Sequence, residues 1–343
     1  PPTPRSSSAA SDVYKRQTDF YSKILNRKSS EPSKDPHDFL MVWDKLQSLD
    51  KKNLNTQWKK LEAEVNQSKN RLKTFATTDY PKSWDMSNNS TYNSWKKSGT
   101  GLKDKADKAG AFTISIKGNK ILKHIYPAGV YTHLLSTKEN GTFSSPRFKF
   151  NEGNLWLRVI GDKGATFRYS VWNYPRRGTV YPKSSPEPSS LKWYRFNTNY
   201  WAGETGYIEL NTNRNHPVEA GNADRSWFGI TEAVQAKPGQ PNPQNEVAEV
   251  LSSLFSKPIE EVNRTSLAKR YSEVIKQAVE AWSSNTMSNQ QALILLSLLN
   301  HDLLPNNISE IPSCLEPLKK YRELEAEVPC LLYTSDAADE ERG

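Results

Sequence analysis

The feature that most constrains the fold of this chain is a series of eight short β-prone runs between Ala111 and Ala236. Turn-forming residues, such as those at Gly161–Gly164 and Trp201–Gly206, separate the runs. Short strands with frequent turns predict an antiparallel sandwich or jelly roll rather than a parallel sheet with crossover helices. The runs are Phe112–Ile116, Ile121–Leu135, Arg147–Phe150, Leu155–Ile160, Thr166–Tyr174, Leu191–Thr198, Tyr207–Asn211 and Trp227–Val234.

Alternation along these runs assigns their side chains to two faces, because successive residues of a strand point to opposite sides. The apolar set is expected to form the core: Leu155, Leu157, Val159, Phe167, Tyr169, Val171, Ile208 and Leu210. The opposite set carries indole, phenol and charged groups: Trp156, Arg158, Arg168, Trp172, Tyr207 and Glu209. A sheet face of this composition predicts either a bound ligand or another domain packed against it.

Helical patterns flank the strand-rich region. Asp35 and Pro36 suit the start of a helix, and a heptad seam from Leu54 to Phe75 predicts a second helix folded back as a hairpin. After the strands, helices are expected at Glu246–Phe255, Ser266–Trp282, Ser288–Leu299 and Cys314–Glu327, with Thr265 capping the second and Ser288 with Gln291 forming a capping box.

The fold class is therefore α+β, with a central antiparallel β-sandwich of the jelly-roll, carbohydrate-module type between an N-terminal helical hairpin and a C-terminal helical segment. The expected divisions are a hairpin at 18–79, a linker or loosely packed entry to the sandwich at 80–110, a sandwich at 111–236, a Pro-rich linker at 237–245 and a helical segment at 246–329 that leads to a further domain.

The two ends have a different origin from the rest. Ser7–Gln17 reads SSAASDVYKRQ, and one DNA that encodes it also encodes CLLYTSDAADE, the sequence of Cys330–Glu340, on its opposite strand in a shifted frame. This DNA resembles a transposon adaptor used in sequencing libraries, so residues 1–17 and 330–343 are predicted artefacts. A signal peptide or further domains are then expected to lie beyond Thr18–Pro329.

Composition narrows the function classes. The strand-rich region holds sixteen Lys or Arg and nine Asp or Glu, which favours an acidic partner. Without Cys330, Cys314 is left as a single thiol, so neither an internal disulfide nor a CxxCH haem attachment is expected. No apolar run has the length of a membrane span.

The candidate ligand is a glycan. Sugar rings stack on exposed aromatic side chains while neighbouring polar groups bind the hydroxyls. The candidate residues are Trp156, Arg158, Arg168, Trp172, Tyr174, Arg176, Arg177, Tyr181, Tyr200, Trp201, Tyr207, Glu209, Arg225, Trp227 and His133. The polysaccharide is expected to be neutral or acidic, and the role non-catalytic binding or adhesion.

Two alternatives to glycan binding stay open. The aromatic face can be packing in a structural spacer without a ligand, or the basic surface can bind nucleic acid or another polyanion. A glycosidase needs two carboxylates across a cleft, and no such pair, GxSxG or HExxH is found, so an enzyme is not expected. Asp162, Glu209 and Asp224 are weak candidates for calcium, since their spacing matches no EF-hand loop.

Three phrases of the strand-rich region resemble a known family. GVYTHLLSTKENGTFSSPRF begins at Gly129, NYPRRGTVYP at Asn173 and YWAGETGYIEL at Tyr200, with DRSWFGI at Asp224–Ile230. Together with HDLLPN at His301 and YRELEAEVP at Tyr321, they resemble the middle part of the large planctomycete-type proteins that combine a cytochrome c domain with domains of unknown function. The resemblance covers about Tyr80–Pro329 and implies an extracytoplasmic protein with a carbohydrate-binding-like jelly roll. The haem motif of that family's cytochrome domain is absent from this sequence, so the resemblance implies no haem cofactor and no electron transfer here.

Overall fold

The computed structural model describes residues 17–28, 33–218, 221 and 223–329. The chain forms two compact units, each discontinuous in sequence. The helical unit contains the described residues up to Asp79, with Lys108–Ala128 and Pro241–Leu318. The sheet unit contains Tyr80–Asp107, Gly129–Gln240 and the described residues from Lys319 onward. The two predicted adaptor segments lie outside the described residues, except for Gln17.

Four of the described helices begin after a residue whose side chain accepts a hydrogen bond from a free backbone amide. Asp50 accepts a hydrogen bond from the Asn53 amide at 2.8 Å, and Ser288 with Gln291 forms the predicted capping box. The described helices are α1 (Gln17–Asn26), α2 (Met41–Leu46), α3 (Lys51–Thr77), α4 (Asn89–Ser94), α5 (Ala248–Leu251), α6 (Arg264–Ser283), α7 (Asn289–Asn300) and α8 (Leu315–Glu327).

Two predicted helix starts are wrong. Asn263, not Thr265, caps α6, because its side chain accepts from the Ser266 amide while the Ser266 hydroxyl accepts from the Asn263 amide. Asp35 accepts from the His37 amide at 2.9 Å in a turn, and the helix begins only at Met41. At α6 the side chain that reaches the free amide decides the boundary, whereas α2 begins at Met41 without a side-chain cap.

The N-terminal and C-terminal helices share one hydrophobic core rather than forming separate segments. Buried side chains of α1–α3, such as Trp43 and Leu61, belong to the same cluster as Tyr271 of α6 and Leu295 of α7. The Tyr271 hydroxyl donates to the Phe39 carbonyl at 2.9 Å and accepts from the Trp43 amide at 3.0 Å. The predicted seam on α3 is buried from Leu54 to Ser68 against this core.

The strands form antiparallel ladders throughout the described residues. They are β1 (Lys82–Asp85), β2 (Lys96–Ser98), β3 (Ala111–Ile114), β4 (Leu122–Tyr126), β5 (Val130–Tyr131), β6 (Thr142–Ser144), β7 (Phe148–Lys149), β8 (Asn154–Asp162), β9 (Thr166–Val171), β10 (Lys183–Ser184), β11 (Lys192–Asn197), β12 (Thr205–Asn211) and β13 (Trp227–Ala236).

The sheet unit contains two sheets with a common core. The five-stranded sheet has the order β1-β13-β8-β11, with β5 also paired to β13. The six-stranded sheet has the order β10-β9-β12-β6-β2, with β7 also paired to β12. Leu155 and Leu157 of the first sheet share a buried cluster with Phe167 and Ile208 of the second. The chain therefore has a mixed helical and antiparallel-sheet fold, as predicted.

Two of the predicted divisions differ from the structure. The segment 80–110, expected as a linker or a loosely packed entry to the sandwich, adds β1, α4 and β2 to the sheet unit and buries Trp84, Met86 and Trp95 in its core. The β3–β4 hairpin, expected in the sandwich, belongs to the helical unit, where Ile125 is part of the helical core. A local pattern identifies a strand, but the unit in which it packs depends on contacts that are distant in sequence.

Among the described residues, no helix combines the length and apolar character that crossing a membrane requires.

Candidate functional site

The predicted division of the sheet faces is correct on its apolar side. Leu155, Leu157 and Val159 are fully buried, as are Phe167 and Leu210. The opposite faces are less uniform, since only some of the predicted aromatic and charged residues lie at the surface. Four groups of residues therefore have to be considered separately.

The outer face of the five-stranded sheet carries Trp156 and Arg158 of β8. Strand β11 places Trp193 opposite Arg158, whose guanidinium lies 5.9 Å from the centre of the indole. On the other side, β13 places Glu232 opposite Arg158, with Nη1 and Oε2 3.4 Å apart. Arg158 is buried and Trp156 half-buried. Arg158, Trp193 and Glu232 therefore contact one another across three strands.

The outer face of the six-stranded sheet contains a buried ion pair. Arg168 of β9 and Glu209 of β12 are directly opposite in the ladder, and Arg168 Nη2 donates to Glu209 Oε1 at 2.6 Å. Asn211 Nδ2 donates to the same oxygen at 3.0 Å, and all three residues are buried. Tyr207, on the same face, is half-buried. The expectation that Arg168 and Glu209 present charge to a ligand is wrong, because strand pairing joins them to each other.

His133, Trp227 and Arg225 also have structural partners. The His133 ring stacks on the Trp227 indole at 3.7 Å between ring centres, and both residues are buried. Arg225 binds Glu325 through both terminal nitrogens, at 2.6 and 3.1 Å. Burial opposes ionisation of Glu325, but hydrogen bonds from Arg225 and Ser136 and the nearby positive charges outweigh it and lower its pKa. These three residues stabilise the sheet unit and are not available as a sugar-binding surface.

The remaining aromatic residues come together at one end of the sheet unit. We call this group, Trp172, Tyr174, Tyr181, Tyr200 and Trp201, the aromatic edge. Trp172 follows β9, Tyr174 and Tyr181 lie in the loop to β10, and Tyr200 and Trp201 form a turn before β12.

Ring contacts connect the two loops of the aromatic edge. The rings of Tyr181 and Trp201 lie 5.2 Å apart, and those of Tyr200 and Trp201 4.7 Å apart in an edge-to-face arrangement. The Arg176 guanidinium lies 5.2 Å from the Tyr174 ring centre and 6.0 Å from that of Tyr181. Trp201 Nε1 donates to the Val180 carbonyl at 2.5 Å. The sequence placed these residues in separate groups, and the structure brings them together.

Trp172 is held in an unusual conformation. Its φ is +55°, in the left-handed region that bulky residues rarely adopt. Its amide donates to the Thr205 carbonyl at 2.7 Å, and its Nε1 donates to Glu204 Oε2 at 2.8 Å. The indole is nevertheless 49% exposed, beside Tyr174 at 57% in the same loop; Tyr200 is 71% exposed. An exposed aromatic ring is therefore fixed in position at the expense of backbone strain.

Charged groups surround the aromatic edge. Arg147 Nη2 donates to Asn173 Oδ1, next to Trp172. Arg176 and Arg177 are exposed, and Glu204 supplies a carboxylate. Sequence reasoning gave Glu204 and Arg147 no ligand role, because nothing local indicates that the turn before β12 and the start of β7 lie beside the loop after β9. The charged side chains around the rings are therefore mainly positive, with three arginines and one glutamate.

The weak calcium candidates do not form a metal centre in the described part of the chain. Asp224 Oδ1 accepts from Arg214 at 2.7 Å, and Glu209 is bound to Arg168. No group of three or more His, Cys, Asp or Glu side chains that could hold a metal is found among the described residues.

Comparison with solved structures finds distant similarity. One similar structure is the glycoside hydrolase domain of Endo-D from Streptococcus pneumoniae R6, with 10% identity and a TM-score of 0.25 over 43% of this chain and 22% of that one. Another is TmCBM61 in complex with β-1,4-galactotriose, with 13% identity and a TM-score of 0.24 over 42% of this chain and 88% of that one. A third is a mutant of CBM29-2, a family 29 carbohydrate-binding module, with 10% identity and a TM-score of 0.23 over 42% and 84% of the two chains. No protein-family model and no curated protein matches this sequence.

Proposed function

We propose that the sheet unit is a non-catalytic glycan-binding module with a jelly-roll sandwich, and that the aromatic edge is its binding surface. The observation that carries the proposal is the exposed indole of Trp172, held by Glu204 and by a left-handed backbone. Strained backbone persists where the surroundings enforce it and is concentrated at ligand sites. Burial gives no reason for this strain, since half of the indole is in water.

The residues of the aromatic edge have distinct roles in the proposal. Trp172, Tyr174 and Tyr200 offer exposed ring faces on which the apolar face of a sugar can stack. Glu204 accepts hydrogen bonds, and Arg147 and Arg176 donate them to hydroxyl or carboxylate groups. Trp201 and Tyr181 are half-buried and support the exposed rings. The rings are fixed before binding, which lowers the entropic cost of association.

Affinity electrophoresis of the full chain in gels with galactan, β-glucan, alginate or pectate tests the proposal. The full chain is needed because the sheet unit is discontinuous in sequence. At least one polysaccharide is expected to retard the protein. Trp172→Ala should weaken binding about 30-fold, which corresponds to about 2 kcal/mol for a central aromatic contact.

Phe112→Ala is the matched control, because Phe112 is another exposed aromatic residue, at 41%, and lies in the helical unit. It should leave retardation unchanged. Equal loss in both variants, or no retardation in any gel, would refute the proposal.

An acidic polysaccharide is the expected ligand class, because three arginines and one glutamate surround the rings. If alginate or pectate binds, Arg176→Gln combined with Arg177→Gln should reduce its retardation and its sensitivity to NaCl. Retardation by galactan should change little. The opposite pattern would show that the arginines have no part in choosing the ligand.

A further inference from the structure

A cavity of about 490 Å³ opens in the helical unit. It lies between the β3–β4 hairpin, the last turns of α6 and the segment that follows α7. Its walls include Ile114 and Leu122 of the hairpin, Val279 and Leu295 of the two helices, and Leu304 and Ile311 beyond them. None of these residues belongs to the aromatic edge.

The size of the cavity is that of a ligand site. Protein interiors are close-packed and leave few voids larger than a water molecule. Sites for small molecules occupy about 300–1,000 Å³ and are lined mainly by apolar side chains. Since a cavity of about 150 Å³ can hold one benzene molecule, this one has room for about three such rings or a chain of similar bulk.

The few polar groups in the wall decide the charge of the ligand. Glu280, Ser283 and Asn306 line the cavity, and no Lys, Arg or His is among its described lining residues. Both ends of the Asn306 amide are bound to the Leu122 backbone, at 2.7 and 3.0 Å. Glu280 lies 3.8 Å from Lys276 Nζ. A carboxylate inside the cavity would find no basic partner among the described lining residues, because Lys276 is paired with Glu280 and is not one of them.

We propose that this cavity binds an uncharged, lipid-like molecule. At one side Phe112 and Trp282 meet edge to face, with ring centres 5.8 Å apart, and Trp282 Nε1 donates to the Gly110 carbonyl at 2.9 Å. The two rings form an aromatic wall of the cavity, and the fluorescence of Trp282 can report on ligand binding. Cys314 is also part of the lining, so its thiol reports on occupancy.

The experiment titrates the full chain with Nile red, an uncharged dye, and then displaces it with 1-decanol or decanoate at pH 8. Saturable binding of one dye per chain is expected, with decanol displacing it at least ten times more effectively than decanoate. Decanol should also slow alkylation of Cys314 by N-ethylmaleimide, followed on the peptide by mass spectrometry so that Cys330 does not interfere.

Two variants locate the binding. Val279→Trp fills the cavity from α6 and should abolish saturable dye binding, as should Ile311→Trp from the opposite wall. Gln277→Trp adds the same side chain at an exposed position of α6 and should bind as the parent does. Dye binding that is unsaturable or equal in all three variants would overturn the cavity as the site. Equal displacement by decanol and decanoate would overturn the uncharged class.

Discussion

Replacement of Trp172 by glycine and by alanine tests whether the backbone at this position is strained. Both changes remove the indole and its hydrogen bond to Glu204, so these losses are the same in the two variants. They differ in the backbone. Alanine has to keep the left-handed conformation at φ +55°, whereas glycine adopts it freely.

The expected difference follows from two opposing effects. A residue with a side chain costs about 1–2 kcal/mol in the left-handed region. At an ordinary position glycine is about 0.5–1 kcal/mol less stable than alanine, because its unfolded chain has more freedom. At Trp172 the first effect is larger, so Trp172→Gly should be more stable than Trp172→Ala by about 0.5–1 kcal/mol.

Tyr174 supplies the matched control, because it lies two residues away in the same loop, is similarly exposed and has no left-handed φ. There the alanine variant should be the more stable one, by about 0.5–1 kcal/mol. Urea unfolding followed by fluorescence gives the midpoints, and hydrogen exchange of the β12 amides reports on the sheet unit itself. If glycine is no better than alanine at Trp172, the strain argument fails.

Three further predictions concern stability. Glu209→Ala leaves the buried Arg168 charge without its partner and should lower the free energy of unfolding by about 3–5 kcal/mol. The double variant Arg168→Met with Glu209→Leu removes both charges and should lower it much less. If the urea midpoints rank these two variants the other way, the prediction that a buried charge is left unpaired is wrong. Burial lowers the pKa of His124 from its ordinary 6.5 to about 4, and both ring nitrogens are buried. The contribution of neutral His124 to the free energy of unfolding is complete above pH 6.5, and about 3 kcal/mol of it is lost as the pH falls towards 4. His124→Phe should therefore make thermal stability depend less on pH over that range. An unchanged pH profile would contradict this prediction. Because the pKa of Glu325 is lowered, its ionised carboxylate stabilises the fold above the ordinary pKa of 4.5, and this stabilisation is lost as the pH falls below that value. Glu325→Gln should therefore remove this part of the loss of stability in acid. The control variant Glu327→Gln should leave the loss of stability in acid unchanged.

The sequence predicted those parts of the fold that depend on local patterns. Alternation at Leu155–Val159 identified the buried face of β8, and Ser288 with Gln291 marked the start of α7 correctly. The sequence predicts no strand and no core residue at 80–110, because the Ser, Asn and Lys content of this segment resembles that of a linker. Its buried residues, Trp84 and Trp95 among them, are isolated in sequence and become core only through pairing with β13 and β6.

The site was predictable in composition but not in arrangement. The sequence predicts exposed aromatic rings at Trp172, Tyr174 and Tyr200, and these residues are exposed. The same reasoning predicts ligand-facing groups at Arg168 and Trp227, but these residues are buried against Glu209 and His133. The residue that lies opposite a given residue in the neighbouring strand depends on the strand register. The register between strands that are distant in sequence cannot be read from a single sequence.

Hydroxyl-radical footprinting of the full chain, with and without the polysaccharide that retards it most, tests the central claim most directly. Oxidation of Trp172, Tyr174 and Tyr200 should fall when the glycan is present, while oxidation of the exposed Phe112 in the helical unit stays the same. Unchanged oxidation of the three aromatic-edge residues under saturating glycan would contradict the account.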